Sequence, residues 1–166
     1  MSKASPPTRI RVRTGVPDDR EYFAEVAAEL ALMRAGEFSI YKPMRKSEPL
    51  FDMAVMAGSA ARFLIKIETY SAFTLKVEPE AIPVLELQAK AEYLRAARQC
   101  PTPVMMFLFD GDRGHGRYLR LDTRAEPAPS AKSVVLSFPV ENTITGDSIR
   151  ALAEQLAKER AVPVAG

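Results

Sequence analysis

The run from Val104 to Phe109 is entirely apolar, and it constrains the fold more than any other feature of the sequence. Pro101 and Pro103 precede the run, and Asp110 follows it. A short strand with no polar alternation is typical of a strand buried on both faces. We therefore expect a sheet that is covered on both sides.

The rest of the chain supplies neighbouring strands and covering helices. Helices are predicted from Asp18 to just before Gly36, from about Pro83 to Gln99, and over 145–160. Strands are predicted at 37–42, 51–56, 61–69, 117–122 and 134–138. Because a helix crosses from strand 61–69 to the buried strand, those two strands should be parallel. The predicted class is α/β, with a single mixed β-sheet flanked by helices.

The first helix carries an apolar stripe and an acidic stripe. The apolar positions are expected to face the core; they are Phe23, Val26, Ala27, Leu30 and Met33. The acidic positions follow at intervals of four residues and share a different face; they are Glu21, Glu25 and Glu29.

Length and charge predict one domain with short extensions. The 166 residues suit one domain of about 150 residues, assigned to 17–160, with a tail at 161–166. Residues 1–16 are predicted to form a basic N-terminal arm or edge strand, in which Arg9, Arg11 and Arg13 alternate with apolar residues. The net charge of +2 is too small to indicate a nucleic-acid partner by itself.

Cysteine and histidine usage excludes several kinds of chemistry. One cysteine, Cys100, cannot form an internal disulfide, and with the single histidine, His115, it is too little for a Cys/His zinc site. The N-terminus lacks the apolar run of a signal peptide, and no stretch approaches 18 apolar residues. A cytoplasmic protein with no membrane contact is the expectation.

Three charged residues on two predicted strands form the candidate site. Lys66 and Glu68 stand two residues apart and so point to one face, and Asp52 on the preceding strand faces away from its apolar neighbours. Paired carboxylates are suitable ligands for Mg²⁺, which prefers oxygen. A metal-bound water near a lysine can attack a phosphodiester. Glu25 or Glu29 is a candidate further metal ligand. The alternative is an ordinary pattern of exposed, cross-strand charges.

The stretch from Glu21 to Asp122 resembles the restriction-endonuclease-like PD-(D/E)xK superfamily, and within it a small uncharacterised bacterial family with a Gln-x-Lys motif. The resemblance rests on the Glu-bearing first helix closed by Gly36 and on a series of short segments. These are Phe51-Asp52, Phe63–Thr69, Pro103–Asp110, Gly116–Asp122 and the ending from Ser137 to Thr145. It implies a restriction-endonuclease-like core, Mg²⁺ or Mn²⁺ as cofactor, and Asp52 as the metal aspartate.

One feature departs from that family. Its third-strand motif has an acid or Gln first and Lys second, whereas here Lys66 comes first and Glu68 second. The resemblance therefore implies two alternatives. One is a Mg²⁺-dependent nuclease acting on DNA, with Asp52, Lys66 and Glu68 as catalytic residues. The other is a catalytically inactive module that binds nucleic acid or a protein partner in host defence or a mobile element; a homo-oligomer stays open. Apart from these two, a plain structural or interaction domain could share the fold alone, because fold does not imply function.

Any nucleic-acid contact is expected to be electrostatic. The candidate contacts lie in the arm and in the loop beside the proposed site; they are Arg9, Arg11, Arg13, Lys42, Arg45 and Lys46.

Overall fold

The computed structural model describes residues 7–14, 18–36, 38–42, 51–57, 60–71, 75, 77–78 and 81–161. Its strands are β1 (Arg9–Val12), β2 (Ser39–Tyr41), β3 (Met53–Ala57), β4 (Ala60–Tyr70), β5 (Val84–Lys90), β6 (Val104–Asp110), β7 (Gly116–Arg120) and β8 (Ser133–Pro139). Its helices are α1 (Asp18–Ala35), α2 (Ala91–Gln99) and α3 (Gly146–Ala161), and a 3-10 turn spans Val140–Asn142.

The strands form two hydrogen-bonded sheets. The larger has the order β2-β3-β4-β6-β7, and β4 and β6 are its parallel pair. The smaller has the order β1-β5-β8, with β1 parallel to β5 and β8 antiparallel to it. Both sheets are thus mixed, and the α/β class and the parallel pairing of strand 61–69 with the apolar strand are confirmed.

The larger sheet lies between two apolar layers. On one face, α1 and α3 pack against side chains that include Phe63, Ile65 and Phe107. On the other, the smaller sheet and α2 cover Met106 and Leu108. Every residue of β6 is buried, because this strand lies near the centre of the larger sheet with both faces covered.

The prediction of a single sheet and of one helix over 83–99 was wrong in detail. Residues 84–90 form β5, in which Leu85, Leu87 and Ala89 are buried and Gln88 and Lys90 are exposed. Positions 85 and 89 are four apart, a spacing that suits either a helix or every second residue of a strand. Because β5 pairs with β1 and β8, it forms the centre of the second sheet.

The first helix has the predicted bounds but presents a different face to the core. The buried positions are Ala24, Ala28, Leu32 and Ala35. The predicted inward residues Phe23, Leu30 and Met33 are exposed. Small side chains allow α1 to approach the sheet closely, which outweighs the apolar bulk on its other face. The helix orientation also determines where Glu25 lies.

Candidate active site

The site forms where β3 begins alongside β4. The pairing of these strands starts at Met53 opposite Ile65, whereas β4 continues to Tyr70 alongside β6. Asp52 extends the pairing by one bond, since its backbone N–H donates to the Ile65 carbonyl at 2.8 Å. Its carboxylate then accepts the Ile67 backbone N–H at 2.6 Å, through Oδ2. The Asp52 carboxylate thus accepts a hydrogen bond that a backbone carbonyl would accept if the pairing of β3 with β4 continued further.

Lys66 lies against this carboxylate. Its Nζ is 3.3 Å from Asp52 Oδ2 and 5.2 Å from the centre of the Tyr93 ring. The lysine side chain is only 15% exposed. Burial alone lowers the pKa of Lys66, but the nearby charges of Asp52 and Glu68 outweigh this effect, and the net pKa is raised above the ordinary lysine value. The ammonium is therefore charged at neutral pH and is held by ion pairing and a cation–π contact.

Four of the predicted site residues, Glu25, Asp52, Lys66 and Glu68, line one polar pocket of about 180 Å³. Among its described lining residues, the carboxylates come from α1, β4 and the residue before β3, and Lys66 is the one cation, so negative charge exceeds positive charge there when all are ionised. Its lining comprises Thr14, Glu25, Asp52, Lys66, Ile67, Glu68, Thr69 and Tyr93. Carboxylate oxygens are the donors that Mg²⁺ takes, usually one or two of them with water completing the shell. The donor chemistry of the pocket thus fits such an ion.

Glu25, Asp52 and Glu68 therefore come together as side chains of one pocket. Glu29 is paired with Lys42 and does not line that pocket. Across the described parts of the chain, no group of three or more His, Cys, Asp or Glu side chains is arranged to hold a metal ion. The side chain of Glu21 lies outside the described residues. The metal-ligand assignment of Asp52, Glu68, Glu25 and Glu29 stays a prediction.

Four lining residues of the pocket were not predicted as site residues: Ile67 and Thr69, which lie on the predicted strand 61–69, and Thr14 and Tyr93, which come from elsewhere in the chain. Thr14 follows β1, and Tyr93 lies in the first turn of α2. Both reach the pocket through the smaller sheet: β1 and β5 are parallel, so their carboxyl ends meet at one edge, where α2 begins. This long-range pairing has no local signal in the sequence.

A second groove adjoins the pocket. It has a volume of about 340 Å³ and is lined by Arg11, Val12, Arg13, Thr14 and Gln88, so that Thr14 belongs to both. Arg11 lies 3.5 Å from a Glu86 carboxylate oxygen and Arg9 lies 3.8 Å from the other. Arg45 and Lys46 lie outside the described residues.

The α/β fold of this chain is similar to that of a solved nuclease structure. The solved structure of D212, a nuclease from a fusselovirus, superimposes with a TM-score of 0.53 at 10% sequence identity, covering 88% of this chain and 98% of that one. At this identity the likeness concerns the fold. No protein-family model and no curated protein matches the sequence. Within the described residues, no helix is both long enough and apolar enough to span a membrane.

Proposed function

We propose that the protein is a divalent-metal-dependent nuclease acting on DNA at the Asp52–Lys66–Glu68 pocket. The observation that carries this proposal is the convergence of Glu25, Asp52 and Glu68 with the partly buried Lys66 in a pocket of about 180 Å³ on a nuclease-like fold. The excess of carboxylates favours a cation, and the lysine supplies a positive charge for a phosphate oxygen.

Each residue has a distinct role in this proposal. Asp52 and Glu68 would hold Mg²⁺ or Mn²⁺, with Glu25 beside them in the pocket; the metal would supply an activated water and stabilise charge developing on the phosphate. Lys66 Nζ donates to a non-bridging phosphate oxygen. A lysine is protonated at neutral pH, and its flexible stem lets it move from Asp52 to the substrate.

The test is cleavage of plasmid and single-stranded DNA in the presence of Mg²⁺ or Mn²⁺. Asp52→Asn and Glu68→Gln are expected to lower the cleavage rate by at least about 100-fold, a loss typical of an electrostatic catalytic group. Glu154→Gln is the matched control, because Glu154 is exposed on α3, and its rate should equal wild type. Wild type that neither cleaves with either metal nor releases heat on metal titration would overturn the proposal.

DNA contact through the basic arm and the adjoining loop is part of the proposal. The contacts are Arg9, Arg11, Arg13, Lys42, Arg45 and Lys46; of these, Arg9 and Arg11 lie on β1, an edge strand of the smaller sheet. Each phosphate contact with duplex DNA should steepen the decline of log affinity with log salt by about 0.9. Duplex binding whose affinity is unchanged between about 50 and about 200 mM salt would contradict this assignment.

The second candidate is an inactive nuclease-fold module that binds nucleic acid or a protein partner. It is favoured by the state of Asp52, whose Oδ2 already accepts hydrogen bonds from Lys66 and the Ile67 N–H. It is also favoured by the reversed order of Lys66 and Glu68. The double variant Lys66→Glu, Glu68→Lys separates the candidates: activity in this variant and none in wild type would establish the inactive module, and the reverse would establish the native order as functional.

A further inference from the structure

We propose that the pocket receives an unpaired, single-stranded segment of nucleic acid, which reaches it along the groove of Arg11, Arg13, Thr14 and Gln88. This inference rests on the proposed function in taking the pocket as the place where the strand is processed. It adds the form of the substrate and the path of the strand.

The groove and the pocket are continuous. Groove and pocket share Thr14 as a common wall. The pairing of β1 with β5 ends at Val12 opposite Leu87, so Arg13 and Gln88 follow that pairing directly, and β5 ends two residues later at Lys90. Since α2 begins one residue after Lys90, Tyr93 lies at the same edge. A strand lying over Arg13 is thus led past Thr14 to Tyr93 and Lys66.

The described part of the groove carries few positive charges. Duplex-binding proteins commonly make about six to ten phosphate contacts. In the described part of the groove the cations are Arg11 and Arg13, and Arg11 already pairs with Glu86. Even with the four other proposed contacts, Arg9, Lys42, Arg45 and Lys46, the set only reaches the lower end of that range, and the groove adjoins a pocket whose described lining has excess negative charge. A short single strand can bind with fewer phosphate contacts if one of its unpaired bases makes a favourable contact with the protein.

Stacking of a base on Tyr93 supplies that contact. Tyr93 is a partly buried aromatic ring in the wall of the pocket. Lys66 Nζ lies 5.2 Å from the centre of this ring, and it leaves the ring for a phosphate oxygen in the proposed function. Stacking of an unpaired base on an aromatic side chain is worth about 1–3 kcal/mol and tolerates any base. A paired base inside a duplex cannot stack there. The combination of Tyr93 with Arg13 therefore selects an unpaired nucleotide without selecting its sequence.

The experiment measures fluorescence anisotropy of labelled oligo(dT) and of a hairpin duplex, in EDTA so that no strand is cut. Wild type should bind oligo(dT) at least about ten-fold more tightly than the duplex. Tyr93→Ala should weaken oligo(dT) binding by about five-fold or more, and Tyr93→Phe should keep the wild-type affinity, because only the ring is required. Arg13→Gln should reduce the salt slope for the single strand by about 0.7, the value of one contact.

Lys158→Gln is the control for loss of a surface charge, since Lys158 is exposed on α3, on the other side of the larger sheet. Circular dichroism of each variant confirms folding. Equal or tighter duplex binding, or an Arg13→Gln effect no larger than that of Lys158→Gln, overturns this inference even if the protein cleaves DNA. Single-strand preference with no cleavage under any metal keeps the strand path and overturns the nuclease proposal instead.

Discussion

Asp52 has a structural task as well as the proposed metal-binding one. Its Oδ2 accepts hydrogen bonds from the Ile67 N–H at 2.6 Å and from Lys66 Nζ at 3.3 Å. Asp52→Ala removes both, and we expect the free energy of unfolding to fall by about 1–3 kcal/mol, since partly buried donors lose their acceptor. Asp52→Asn retains an oxygen for the N–H and should lose less.

Urea unfolding followed by circular dichroism measures these differences. Glu154→Ala, at an exposed position of α3, should stay within about 0.5 kcal/mol of wild type. A loss in Asp52→Ala no greater than in this control would show that the two hydrogen bonds contribute nothing to stability.

Lys66 makes stability depend on pH in the alkaline range. Burial lowers its pKa, the charges of Asp52 and Glu68 raise it more, and the folded-state pKa therefore lies above the unfolded value. The stabilising contribution is thus fully present below the unfolded lysine pKa of about 10.4 and is lost as pH rises through the folded pKa. Relative to Lys66→Met, wild type should lose stability in that range; a difference that stays constant from about pH 9 to about pH 12 would contradict this linkage.

At the scale of elements, substitutions on two faces of α1 test which face packs against the core. Ala28 is fully buried, while Leu30 is 47% exposed. Ala28→Leu adds bulk where the helix approaches the sheet and should destabilise by about 1–3 kcal/mol. Leu30→Gln should change stability by about 0.5 kcal/mol or less. The opposite ranking in thermal or urea unfolding would mean that Phe23, Leu30 and Met33 face the core as their bulk predicts.

The elements with a strong local pattern were predictable. The bounds of α1 follow from the acidic start at Asp18 and from Gly36, which has a φ of 146° just beyond the helix. Alternation identified β4 and an unbroken apolar run identified β6. In contrast, β5 was taken for a helix because Leu85 and Ala89 fit both periods, and the inner face of α1 is built of alanines that a count of large apolar residues overlooks.

The site, like the fold, could be predicted from the sequence where it depends on local pattern and not where it depends on long-range pairing. Asp52, Lys66 and Glu68 follow from side-chain direction on neighbouring strands, and that is a local property. Thr14 and Tyr93 depend on how β1 and β5 pair across more than seventy residues, which no local pattern encodes. Glu25 and Glu29 were equivalent in sequence, and only the packing of α1 separates the residue at the pocket from the one paired with Lys42.

At the scale of the whole molecule, the two sheets are joined by a buried arginine. Arg117 belongs to β7 of the larger sheet and is 6% exposed. Its guanidinium donates to the Ile82 carbonyl at 2.7 Å and to the Phe138 carbonyl at 2.9 Å, both on the side of the smaller sheet. An arginine can serve several carbonyls at once because its five N–H groups form a rigid planar fork.

Arg117→Met keeps the apolar stem and leaves those buried carbonyls without this donor. Each unsatisfied group costs about 1–3 kcal/mol, so we expect the free energy of unfolding to fall by about 3 kcal/mol or more. Arg150→Met is the matched control, because Arg150 also donates to a backbone carbonyl, that of Ala35 at 2.8 Å, but its side chain is 51% exposed and water can replace it; its loss should be about 1 kcal/mol or less. Guanidinium unfolding monitored by circular dichroism measures both variants. Equal losses would mean that water reaches the carbonyls beneath Arg117, and that apolar packing alone holds the smaller sheet, with its groove and Tyr93, against the larger one.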